Sequence, residues 1–139
     1  MRAKFLLIGV LGLLIVGAVL VSPAGLKIVP PPREISAIQA ATNVVFTHFK
    51  ERFVVSDDKQ VREISSTIRL LEPKGAVGDL HYYQAIFRGP SGEVSAHFCP
   101  RCFTVRSENG GEYNYAMPNA FYATFQTLAR QHGWKLEEK

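Results

Sequence analysis

Residues 5–21, FLLIGVLGLLIVGAVLV, form 17 consecutive side chains without a charge or hydrogen-bonding group, behind Arg2 and Lys4. A helix built from them is apolar on every face, so it needs lipid or protein all round it. One small domain has little room to surround such a helix. The bilayer core takes about 17–25 helical residues, whereas the apolar centre of a cleaved secretory signal runs to about 7–15. The length therefore favours an uncleaved signal-anchor over residues 1–26, touching the bilayer through residues 5–22. Cleavage near Ala24, after the small residues of Ser22-Pro23-Ala24, is the alternative. In both cases Arg2 and Lys4 stay inside and the rest of the chain lies outside the cytoplasm. The expected location is the inner (cytoplasmic) membrane, single-pass. After cleavage it would be periplasmic or secreted.

Charge narrows the partners. The formal net charge is +4 over 139 residues. Arg2 and Lys4 are two of the 16 basic side chains and no acidic residue precedes Glu34. Beyond them, 14 basic side chains face 12 acidic ones. Nucleic-acid binding needs a clustered basic face, and the sequence contains no such cluster. The expected partner, besides the bilayer, is another envelope protein.

Residues 27–33, KIVPPPR, contain three consecutive prolines, which favour an extended, stiff stalk. Residues 34–139 then form one α+β domain. Ile35, Ile38, Val45, Phe46, Phe49 and Phe53 recur at spacings near three and four and predict one helix over 33–53. From Arg62 to Leu70 the pattern is period two, with Ile64, Ser66, Ile68 and Leu70 on one side, which predicts a strand. Residues 80–89 and 92–98 flank GPSG as a hairpin, and 102–106 adds a strand before the loop SENGGE. Residues 117–134 predict a helix with a stripe of Phe121, Phe125, Leu128 and Ala129 and a C-terminal cap at Gly133. The fold expected is a helix, about four antiparallel strands and a C-terminal helix, with both helices on one sheet face.

Little of the chain has the form of a chemical site. Both cysteines lie in HFCPRCF (97–103), as Cys99 and Cys102, and three chemistries fit the pair. A thiol–disulfide enzyme wants a low-pKa thiolate, commonly at a helix N-terminus, but Phe103 and Val105 alternate as in a strand. CPRC resembles one knuckle of a zinc ribbon, which implies a thiolate pair on one zinc ion. Zinc wants four ligands, so Cys99 and Cys102 would need His97, His81 or His132, or a second chain, to complete the set. The knuckle also favours glycine where Phe103 stands. Outside the cytoplasm, two nearby thiols tend to oxidise, so a structural disulfide between Cys99 and Cys102 is the leading expectation. No cofactor is then expected, with zinc as the alternative.

No nucleophile elbow, phosphate loop or H-E-x-x-H pattern occurs, and no catalytic residue is nominated. Tyr82, Tyr83 and Arg101 are the candidate partner-binding residues, because a tyrosine on the wet face of a strand suits an interface. The reading is a non-enzymatic binding or assembly module, with a small zinc or thiol-redox protein acting through Cys99 and Cys102 as its rival.

Overall fold

A computed structural model describes residues 32–69, 71–74 and 83–136. The predicted anchor and almost all of the stalk lie outside the described residues. Among the described residues no helix is long and apolar enough to cross a membrane.

The protein is α+β. Helix α1 (Arg33–Gln39) leads into strands β1 (Asn43–His48) and β2 (Glu51–Val55), then helix α2 (Asp58–Ser66). Strands β3 (Tyr83–Gly89), β4 (Gly92–Cys99), β5 (Cys102–Arg106) and β6 (Glu112–Ala116) follow, and helix α3 (Asn119–Gln131) completes the order. All neighbouring strands are antiparallel, in the spatial order β2-β1-β3-β4-β5-β6.

Two predicted elements are corrected. The helix expected over 33–53 stops at Gln39, and Asn43 to Val55 is a hairpin. Val44, Val45 and Phe46 are all buried, so β1 is covered on both faces and shows no alternation to read. Its β-branched residues fit a pleated strand better than a helix. The strand expected over 62–70 is instead α2. Its buried residues are Val61, Ile64 and Ser65, with Ile68 one turn on. Ile64 and Ile68 are four apart, a spacing that satisfies both a strand and a helix. The cap decides: the Asp57 carboxylate accepts from the Gln60 N–H at 3.0 Å. Strand β6 lies in EYNYA, beyond the glycine loop, and raises the strands to six. The hairpin around GPSG and the C-terminal helix form as expected, and Gly133 has φ 78°.

Helix α2 connects β2 to β3, which flank β1 on either side and are parallel to each other. The sequence pattern shows no such strand–helix–strand unit, because α2 reads as a strand. The first chain passage is tight: Gly89 faces the Ala40 carbonyl, which would lie 2.7 Å from any added Cβ.

One sheet face and all three helices build the core. Phe46 is its centre, with ring centroids 5.0 Å from Phe53, 5.3 Å from Phe125, 6.2 Å from Phe121 and 6.3 Å from Phe98. Ile35 and Ile38 of α1 and Val61 and Ile64 of α2 join the same cluster. The other face is a polar ladder. Thr47 donates to Gln84 (3.2 Å), Gln84 to Ser95 (2.7 Å) and Thr104 to Asn114 (2.8 Å). Val45, Cys99 and Cys102 are buried on that face.

Candidate contact surface at one end of the sheet

The strand registers bring separate sequence regions to one end of the sheet. His48 pairs with Glu51 around the turn Phe49-Lys50. Cys99 pairs with Cys102 around the turn Pro100-Arg101, and Cys102 pairs with Ala116 at the end of β6. Tyr83 starts β3 at the same end, opposite Phe98. At strand spacings of about 4.8 Å, the two turns are about 14 Å apart.

The first turn is unusual. Phe49 has φ 51°, the only left-handed non-glycine among the described residues, and its side chain is 89% exposed. A two-residue hairpin commonly puts glycine or asparagine at such a position. A phenylalanine there costs of order 1–2 kcal/mol in backbone strain. Core packing does not offset it, because the ring lies against His48, with centroids 4.6 Å apart, at the edge of the domain. The sequence pattern places Phe49 in the buried stripe of a helix, and the structure corrects this. The signal that could have found it is the tetrapeptide HFKE between two apolar runs, the length of a tight hairpin.

The turn is fixed from beneath. His48 packs on Tyr83 and Trp134, at 4.8 and 5.9 Å, and His132 stacks flat on Phe53 at 4.4 Å. Exposed basic side chains surround it: Lys50, Arg52, Lys135 beside Trp134, and Arg101 on the second turn. Among the described residues, Glu34, Glu51 and Glu72 are the acidic ones at this end. The opposite end carries Asp57, Asp58, Glu93, Glu108 and Glu112 against Lys59, Arg88 and Arg106, with exposed Arg69 following Ile68, whose carbonyl accepts from Gln39 at the end of α1. Two of these cations are held in cross-strand ion pairs, Arg88–Glu93 at 2.8 Å and Arg106–Glu112 at 2.9 Å. The domain is therefore electrically polar along its strands.

The sulfurs of Cys99 and Cys102 lie at disulfide-bonding distance, with Cα atoms 5.1 Å apart. The Arg101 N–H points at Cys99 Sγ, 3.4 Å away. Both cysteines are buried, and β5 rather than a helix follows them. A thiolate here would have neither a helix dipole nor solvent to stabilise it. Phe103 is extended strand, packed edge-on against Phe121 at 5.2 Å. His97 sits on the same sheet face as Cys99, half-buried, opposite Thr104. Among the described residues, no three His, Cys, Asp or Glu side chains converge as a metal site.

Of the tyrosine candidates, Tyr82 lies outside the described residues. Tyr83 is a core residue, its ring 4.9 Å from Phe125 and 5.5 Å from Phe98. Of the two nominated residues that are described, Arg101 projects outward and Tyr83 does not. Burial pushes the phenols of Tyr115 and Tyr122 up from 10.0. The neighbouring Tyr113 and Glu34 push Tyr115 further, while Arg130 partly offsets the shift at Tyr122. Comparison with protein-family models, curated proteins and solved structures gave no match for this chain.

Proposed function

We propose that this protein is a membrane-tethered, extracytoplasmic binding module of the cell envelope, and that the end of the sheet bearing Phe49 and Arg101 is its contact surface. The observation that carries this reading is Phe49. A large apolar side chain left 89% exposed by a strained backbone, with the His48 ring beside it, adds little to the fold, so its use lies in what it meets outside. The apolar run at 5–21 supports the tether, and the prolines within 27–33 support a short connection from it to the domain. In this reading Cys99 and Cys102 form a disulfide that clamps the second turn.

A C-terminal fusion to a phosphatase active only outside the cytoplasm, combined with carbonate extraction of the membranes, tests the placement. An active enzyme that resists extraction is the expected result; an inactive one overturns the extracytoplasmic assignment. Replacing both cysteines by serine tests the clamp, which predicts a lowered melting temperature with contact-surface binding retained.

A further inference from the structure

We infer that the basic, Phe49-bearing end of the sheet docks onto an anionic lipid surface, with the Phe49 ring at headgroup depth and Lys50, Arg52, Arg101 and Lys135 over the lipid phosphates. The inference deepens the proposed function by naming the partner of the same surface, and it rests on the membrane tether.

Three observations point to lipid. The first is charge complementarity: the basic side chains gather at the end carrying Phe49, and acidic residues dominate the other end. An anionic leaflet would orient such a domain with Phe49 towards it. The second is where the chain enters. The C-terminal end of α1 is pinned at the acidic end, where the Thr42 N–H donates to the Arg88 carbonyl at 2.7 Å. Seven helical residues then carry the chain about 10 Å back along the sheet. Glu34 lies close enough to Tyr115, one residue from the basic end of β6, to raise its pKa. The first described residue, Pro32, therefore lies nearer the basic end than Thr42 does. The third is length. Residues 22–32 span at most about 40 Å even when fully extended, so the domain cannot leave the bilayer by much more than its own diameter. A weak contact suffices under such tethering, because the effective concentration of the surface is high. One aromatic ring and four cations would give only marginal binding to a free domain.

The full-length protein carrying Phe49→Trp, reconstituted into vesicles containing phosphatidylglycerol with shallow brominated acyl chains, provides the test. The signal is the emission difference from the wild-type protein, which subtracts Trp134, with the melting temperature as a control of fold. Quenching is expected in anionic vesicles. It should weaken at high salt and fall about fivefold for each basic residue neutralised, as in K50Q and R101Q. An unquenched difference signal from the Phe49→Trp protein, while that protein remains vesicle-bound, overturns the docking and leaves the tether standing. A signal that scales with protein density in neutral vesicles as well identifies a second copy as the occupant and also overturns it. If neutral vesicles fail to hold the protein, the tether fails. Salt-sensitive quenching on anionic vesicles would then still uphold the lipid surface.

Discussion

The turns Phe49-Lys50 and Pro100-Arg101 close hairpins at the same end of one sheet, yet they are held in different ways. Two-residue hairpins favour left-handed residues because their twist matches that of the strands. The first turn takes this conformation at Phe49 and bears the strain. The second stays out of it at both positions, with Pro100 fixing one φ, and sets two sulfurs directly across the strand ends. One turn is arranged to present a side chain, and the other to stay closed. The pair shows that matched geometry in a sheet does not imply a matched role.

The largest test of this contrast removes what lies beneath the first turn. Phe46→Ala deletes the ring that joins β1 to Phe53, Phe98, Phe121 and Phe125, and should cost about 3–5 kcal/mol in a denaturant titration. A loss as small as that of a surface substitution would show that the first hairpin is not held by the aromatic core. Next is the clamp. The double change Cys99→Ser and Cys102→Ser should cost about 2 kcal/mol, the chain-entropy value for so short a loop. Reductant added to the wild-type protein should reproduce that loss, and an unchanged melting midpoint in both experiments would remove the disulfide from the account. Phe49→Gly has the opposite sign. It relieves the left-handed strain and should stabilise the fold by about 0.5–1 kcal/mol while abolishing contact at the surface. Destabilisation instead would mean that the contact of the Phe49 ring with His48 outweighs the backbone strain.

The smallest effect concerns the strand beside the clamp. Tyr115 pairs with Phe103, and burial keeps its phenol neutral above the ordinary 10.0. A raised folded-state pKa contributes stability that is complete below 10.0 and is lost as pH rises through the higher value. Tyr122 acts in the same direction. Melting temperature should therefore fall above about pH 10, and Tyr115→Phe should flatten part of that slope.

The helices and strands are legible where one period rules. Residues 119–131 bury Phe121, Phe125, Leu128 and Ala129 on a single helical stripe, and 92–99 alternates cleanly from Val94 to Phe98. The first hairpin is not legible, because three consecutive buried residues erase a period of two. Helix α2 is not legible because isoleucines four apart fit both patterns, and Asp57 as a cap acts through one hydrogen bond. The contact surface is half legible. Arg101 stands out beside the cysteines, whereas Phe49 counts as one more core aromatic.

Sequence alone determined that the chain carries a bilayer-length apolar run, three consecutive prolines and a following region that mixes helices with an antiparallel hairpin. These follow from composition and spacing within short windows, which need no long-range contact to read. Tertiary structure decided which aromatics are core and which is not. Tyr83 and Phe49 have similar neighbours in sequence, but cross-strand register turns one ring onto Phe125 and leaves the other at a hairpin tip. Burial is a property of the pairing between distant strands, and no window of the sequence contains both partners.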